Sequence, residues 1–92
     1  METKQIRVTG LVQGVGFRWT TQMVANDLGI KGTVKNNMDG SVTIVAQADP
    51  LKLAQFISKV KASPTPAGRV DNIEVKNLPD QKPFHSFTVI GW

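Results

Sequence analysis

The chain has 92 residues, enough for one domain with a single hydrophobic core and too few for a second. Hydrophobic residues make up 40% and charged residues 20%, a balance that is ordinary for soluble globular proteins and argues against disorder. Cysteine is absent, which excludes a disulfide scaffold, a zinc–thiolate site and a cysteine nucleophile. We therefore expect one domain over residues 1–92.

The net charge of +4 comes from eleven Lys and Arg residues against seven Asp and Glu residues. The cations are dispersed along the chain, so the charge favours mild attraction of small anions over binding of nucleic acid. No apolar run is long enough to cross a membrane, and the N-terminus has no apolar signal region. These observations predict a cytoplasmic protein with no membrane or nucleic-acid partner, and we expect a monomer.

The first half of the chain predicts a strand, a glycine loop and a helix. Residues 5–11 alternate apolar and polar side chains, as a half-buried strand does. From 19 to 28 the spacing of the apolar residues predicts a helix that ends at a glycine, and its apolar face consists of Trp19, Met23, Val24 and Leu28.

The second half predicts a hairpin, a second helix and two more strands. Asp39-Gly40 is a hairpin turn between strands over 30–36 and 41–46, and Asp49-Pro50 is a cap with a first helical residue. The second helix has a clear apolar period of Leu53, Phe56, Ile57 and Val60. The remaining segments are a loop at 63–68 and strands over 69–78 and 84–90.

The resulting order, β-α-β-β-α-β with an extra short strand at the end, predicts an α+β ferredoxin-like split β-α-β sandwich. Its sheet is mainly antiparallel, both helices cover one face, and the first and third strands are neighbours. If the second strand runs parallel to the first, its end near Asn36 reaches the same edge of the sheet as the loop over 12–18.

That loop is the strongest candidate site. Gly14 and Gly16 flank a single residue, which lets the backbone turn its N–H groups inward ahead of a helix N-terminus. Arg18 adds a planar guanidinium that suits two oxygens of one anion. The residues alone leave open a simple glycine turn with Arg18 as a surface charge.

The residues that other kinds of catalytic or cofactor site require are missing from the sequence. The single histidine, His85, has no triad partner, and one histidine without cysteine does not make a transition-metal site. No paired carboxylates stand out, and neither the P-loop pattern nor GxGxxG is present, so we expect no metal and no nucleotide cofactor. Asn36 and Asn37 precede the hairpin turn, where asparagine is usually structural. Asn36, however, lies two residues after Val34, so its side chain points to the same face of the strand as that core residue, at the strand's end.

At these residues the sequence resembles the acylphosphatase family. Residues 8–18 resemble its first signature and residues 32–42 its second, and the similarity covers nearly the whole chain. The sequence departs from the family pattern at Thr33, where an aromatic residue is common, at Thr43, where an acid is common, and at Ser63, where glycine is frequent.

The resemblance implies hydrolysis of acyl phosphates to a carboxylate and inorganic phosphate, without a metal. Arg18 and the backbone N–H groups of Gln13, Gly14, Val15, Gly16, Phe17 and Arg18 would bind the phosphoryl oxygens. Asn36 would position the attacking water, and inorganic phosphate would be product and inhibitor. The residue that contacts the acyl group is left open among Phe17, Trp19 and Trp92.

Two alternatives stay open at this point. The same order of elements occurs in RNA-binding and anion-sensing modules, although the aromatic stacking motif of RNA-recognition domains is missing. A domain of this type could also handle carbamoyl phosphate for a larger maturation system. Turnover of carbamoyl phosphate against aromatic acyl phosphates would separate that case from a self-contained acylphosphatase.

Overall fold

A computed structural model describes residues 1–91 as five strands and two helices. The elements, in chain order, are β1 (Glu2–Leu11), α1 (Phe17–Leu28), β2 (Lys31–Asn36), β3 (Val42–Ala48), α2 (Pro50–Lys61), β4 (Arg69–Asn77) and β5 (Phe87–Ile90). The predicted α+β ferredoxin-like fold is confirmed. No helix among these residues is long and apolar enough to cross a membrane.

The strands form one sheet in the order β4-β1-β3-β2-β5. β3 is antiparallel to both β1 and β2, with Val8 opposite Val42, and β5 pairs with β2 in parallel. β1 and β2 therefore run in the same direction on either side of β3. For that reason the loop that follows β1 and Asn36, the last residue of β2, lie at the same edge of the sheet.

One face of the sheet forms the core with both helices. Strand side chains point alternately to the two faces, so every second residue of the central strands is buried against α1 and α2. The fully buried strand residues are Ile6, Val8, Val34, Val42, Ile44 and Ala46. Phe87, the only aromatic residue in the five strands, is also buried, so the uncovered face of these strands presents no aromatic side chain.

α2 follows its sequence pattern closely. The Asp49 carboxylate accepts a hydrogen bond of 3.0 Å from the N–H of Lys52, and Pro50 occupies the first turn. Leu53, Phe56 and Val60 are fully buried, as their spacing predicts. The ring of Phe56 meets Phe87 edge-on.

α1 departs from its predicted apolar face. It begins at Phe17 instead of Trp19, and its buried residues are Phe17, Thr21 and Ala25. Trp19 is 65% exposed and Met23 51% exposed. The reason is rotational: Phe17 fills the core, and two residues further along an α-helix the side chain lies about 200° around the axis. The apolar residues of α1 thus do not all lie on its buried face.

Two predicted strand boundaries were also wrong. β1 starts at Glu2, three residues earlier than predicted, and the last strand starts at Phe87 instead of Phe84. The buried side-chain amide of Gln47 bonds the segment before β5. Its oxygen accepts a hydrogen bond of 2.8 Å from the N–H of Phe84, and its nitrogen donates to the Thr3 hydroxyl.

Candidate active site

A cleft of about 390 Å³ opens at the sheet edge where β1 and β2 both end. It is lined by residues from the loop after β1, the first two turns of α1, the end of β2 and β5. Those residues are Val12, Gln13, Gly14, Gly16, Phe17, Arg18, Trp19, Gln22, Asn36 and Val89. Arg18 and Asn36, eighteen positions apart in sequence, thus line the same cleft.

The glycine loop has the backbone form that inward-facing amides require. Gly14 has φ of 74° and Gly16 has φ of 76°, values that side chains disfavour. Gly16 is the N-cap of α1, and no side chain caps the helix. The first N–H groups of a helix have no partner within it, and its dipole places positive charge there. This end of the cleft is therefore suited to an anion.

Asn36 extends the core face of β2 into the cleft. Val34, two residues earlier, is fully buried on that face, and Asn36 follows it in parity. The Oδ1 atom of Asn36 is buried and accepts no hydrogen bond from residues 1–91. Asn37 has a structural role instead, because its amide nitrogen donates to the hydroxyls of Ser41 at 2.9 Å and Thr43 at 2.8 Å.

The Gln13 side chain connects the two walls of the cleft. Its amide nitrogen donates to the carbonyl oxygens of Asn37 at 2.7 Å and Ser41 at 2.9 Å. The loop that carries the glycines is thus bonded directly to the hairpin that follows Asn36. A glutamine within a glycine loop gives no sign in sequence of this long-range contact.

The hairpin turn is held by a charged network on its outer side. Asp39 accepts hydrogen bonds from the Ser41 hydroxyl at 2.6 Å and the Ser41 N–H at 3.0 Å, and Arg7 donates to it at 2.5 Å. The bonds from Ser41, followed by that from Arg7, lower the pKa of the Asp39 carboxyl from 3.8 to about 2. Asp39 is therefore ionised at neutral and mildly acidic pH.

A second contact to the glycine loop comes from the loop that follows α2. The hydroxyl of Thr65, which is 5% exposed, donates to the carbonyl oxygen of Val15 at 3.1 Å. Thr65 itself is held by Ser63, whose hydroxyl donates to the Thr65 carbonyl at 2.8 Å. Ser63 has φ of 65°, a left-handed conformation that glycine adopts at lower cost than a residue with a side chain. Sequence reasoning missed Thr65, because nothing in a proline-rich loop indicates its partner.

The other predicted candidates divide as follows. His85 is exposed and does not line the cleft. Phe17 is 1% exposed and forms the cleft floor, whereas Trp19 stands at the rim. Trp92 lies outside the described residues. Gln22 and Val89 line the cleft but were not predicted, since their sequence surroundings are those of ordinary helix and strand residues.

In its chemistry the cleft combines backbone amides, one charged side chain and one carboxamide. Arg18 is the only charged residue among the described residues that line it. A guanidinium with a helix N-terminus can bind a tetrahedral anion through several oxygens at once. Elsewhere in residues 1–91, no three His, Cys, Asp or Glu side chains gather into a metal-binding group.

Comparison with known proteins agrees with the sequence resemblance. The family model described as Acylphosphatase matches residues 4–89. An acylphosphatase of Lactobacillus johnsonii is 61% identical over 90 residues, which cover 98% of this chain and 99% of the relative. An acylphosphatase of Enterococcus faecalis is 47% identical over 90 residues, again 98% of this chain and 99% of the relative.

Solved structures agree at the level of the fold. The crystal structure of acylphosphatase from Bacillus subtilis superposes with a TM-score of 0.94 and 36% identity, covering 99% of this chain and all of that one. Full-length HypF in a phosphate- and nucleotide-bound form gives a TM-score of 0.89 and 30% identity. The match covers 98% of this chain but only 12% of HypF, so there the fold is part of a much longer protein.

Proposed function

Because this chain belongs to the acylphosphatase family, we propose that it hydrolyses acyl phosphates by direct in-line attack of a water molecule in the cleft at residues 12–18. The products are a carboxylate and inorganic phosphate. The observation that carries the proposal is that Arg18, Asn36 and the uncapped N-terminus of α1 border one cleft.

Arg18 and the amides of residues 13–18 bind the phosphoryl group. Phosphoryl transfer spreads charge over three equatorial oxygens in a loose transition state, so the protein contributes mainly positioning and charge stabilisation. Preformed N–H donors at the glycine loop supply that stabilisation without reorganising. The contacts of Gln13 and Thr65 keep the loop in the required form.

Asn36 positions the attacking water. Its buried Oδ1 has no partner among residues 1–91, so a water proton donated to it would satisfy an acceptor that is otherwise costly to leave unpaired, by about 1–3 kcal/mol. A carboxamide does not act as a base near neutral pH. The water proton therefore passes to the phosphoryl oxygens or to solvent as the new P–O bond forms.

The leaving group needs little help. Water attacks phosphorus, the bond from phosphorus to the bridging oxygen breaks, and that oxygen leaves with its electron pair as part of a carboxylate. A carboxylate is already stable at neutral pH, so no general acid is required. The protein needs no cofactor for this step, and the mechanism includes no phosphoenzyme.

The first test is hydrolysis of benzoyl phosphate by the purified protein, with and without EDTA, and by an Arg18→Ala variant. We expect turnover that EDTA does not change, competitive inhibition by phosphate, and a loss of kcat/KM on the order of 10³-fold in Arg18→Ala. Arg69→Ala is the matched control, since Arg69 is exposed and paired with Asp71 outside the cleft. A variant lacking Arg18 with near-normal kcat/KM would contradict the proposal.

The second test asks whether Asn36 contributes to the chemical step or to binding of the phosphoryl group. We expect Asn36→Ala to lower kcat by about 100-fold or more while the inhibition constant of phosphate changes little, because only the water is misplaced. Asn72→Ala, an exposed asparagine on β4, is the control. Normal turnover of benzoyl phosphate by Asn36→Ala would remove the water-positioning role.

We also propose that the protein acts in the cytoplasm as a monomer, without a nucleic-acid partner. Sedimentation at micromolar concentration tests the oligomeric state. A gel shift with single-stranded RNA tests the rival binding function, which predicts a steep dependence on salt and no hydrolysis of acyl phosphates.

A further inference from the structure

The cleft extends beyond the part that a phosphoryl group would occupy. Besides the glycine loop, Arg18 and Asn36, the cleft is lined by Trp19 and Gln22 on α1 and by Val89 on β5, which we call the outer wall. The acyl carbon of the substrate is joined to phosphorus through one bridging oxygen. It must therefore lie just outside the amides that hold the phosphoryl oxygens, and Trp19, the residue after Arg18, is the nearest of the three in sequence.

This wall carries no charge. One N–H of the Gln22 side-chain amide donates to the carbonyl oxygen of Phe87 at 2.9 Å, which holds this side chain against β5. The remaining surface is the indole of Trp19, which is 65% exposed, and the half-buried side chain of Val89. An acyl group beside it would contact aromatic and aliphatic surface, whereas a second anionic group would find no cation among the described lining residues other than Arg18.

We propose that Trp19 binds the acyl group and makes this protein prefer acyl phosphates with a large apolar acyl group, such as an aromatic ring, over those with a small one. The proposal rests on the proposed function, which supplies the phosphoryl site. Trp19 directly follows Arg18, so the first turn of α1 presents the charged and the aromatic side chain to neighbouring parts of one cleft. Phe17 does not take this role, because its side chain forms part of the core.

The exposure of Trp19 supports a ligand contact. An exposed tryptophan keeps a large apolar area in contact with water. An apolar ligand group that covers this area removes it from water, and that burial favours binding. Met23 lies one helical turn further along the same exposed side of α1, at 51% exposure, but does not line the cleft. This pair provides an internal control, since both residues are exposed and apolar and only one borders the site.

The experiment compares kcat/KM for benzoyl phosphate and acetyl phosphate in wild type, Trp19→Ala, Trp19→Phe and Met23→Ala. We expect Trp19→Ala to lower the benzoyl-to-acetyl ratio by about 3- to 10-fold, the size of one aromatic contact at a partly exposed site. Trp19→Phe should keep at least half of the ratio, and Met23→Ala should leave it within error of wild type. An unchanged ratio in Trp19→Ala would overturn the proposal.

A binding measurement removes the chemical step. Benzylphosphonate and methylphosphonate carry the same charged group with and without a ring, and their inhibition constants report the acyl side alone. We expect Trp19→Ala to raise the inhibition constant of benzylphosphonate by about 3- to 10-fold and that of methylphosphonate by less than about twofold. Equal weakening of both ligands would assign Trp19 to the phosphoryl site and overturn the proposal. If neither the wild type nor any variant hydrolysed benzoyl phosphate or acetyl phosphate, the proposed function itself would be wrong.

Discussion

The two helices of this protein have the same length, twelve residues, yet they begin in opposite ways. α2 starts with a capping Asp49, has Pro50 in its first turn, and ends with lysines that suit the negative end of the helix dipole. α1 starts at Gly16 with no side-chain cap. Both first turns contain a cation that the helix dipole disfavours there, Lys52 in α2 and Arg18 in α1, but only Arg18 lines the cleft.

The difference extends to the side chains. The long apolar period of α2 is buried at Leu53, Phe56 and Val60, whereas α1 leaves Trp19 and Met23 more than half exposed. Each departure in α1 reduces its own stability, and its N-terminus and Trp19 border the cleft. Local rules are commonly broken where a site must bind something. The comparison therefore indicates that α2 secures the fold while α1 presents the site.

The largest expected effect is on α2. We expect Phe56→Ala to lower the free energy of unfolding by about 3–5 kcal/mol, because a fully buried ring that contacts Phe87 leaves a cavity. Urea denaturation followed by circular dichroism measures the loss. Leu51→Ala on the same helix is the control, since Leu51 is 71% exposed and its removal should cost less than about 0.5 kcal/mol. Equal losses would contradict the assigned role of α2.

The next effect is on the start of α1. We expect Gly16→Asp to lower kcat/KM for benzoyl phosphate on the order of 100-fold relative to Gly16→Asn, because a carboxylate at the anion site repels the phosphoryl group. The two side chains have the same shape and both tolerate the left-handed conformation, so their ratio isolates charge from strain. Equal activity of the two variants would mean that the N-terminus of α1 does not face the phosphoryl group.

A smaller effect is expected from the cap of α2. Asp49→Ala should lower the free energy of unfolding by about 1 kcal/mol, since the Lys52 N–H loses its acceptor. Asp49→Asn should retain most of that stability, because asparagine caps nearly as well. Neither variant should alter KM for benzoyl phosphate. A rise in KM or a fall in kcat that follows the loss of the cap would mean that α2 affects the site directly.

The smallest effect is expected where α2 ends. Ser63→Gly removes the cost of the left-handed conformation but also the hydrogen bond to Thr65, so its stability should stay close to that of wild type. Ser63→Ala loses the hydrogen bond without relieving the backbone and should be less stable than Ser63→Gly by about 1 kcal/mol. Thermal unfolding of both variants measures the difference. If Ser63→Ala were the more stable, the left-handed conformation of residue 63 would not have the expected cost.

Elements with strong local signals were predictable. Asp49, Pro50 and the apolar period of α2 act within a few residues of one another, and so do Asp39-Gly40 at the hairpin. The family signatures around Arg18 and Asn36 likewise lie in short stretches. The rotation of α1 was not predictable, because the core position of Phe17 depends on the sheet it packs against.

The sequence by itself determined the order of elements, the fold class, the family and the pair Arg18 and Asn36 as site candidates, because these depend on periodicity and short motifs. Only the tertiary structure decided which apolar residues of α1 face water and which side chains hold the glycine loop in place. The contacts of Gln13 with Asn37 and of Thr65 with Val15 cross 24 and 50 positions of the chain. Contacts over such separations arise from how the strands pair, and no local pattern encodes them.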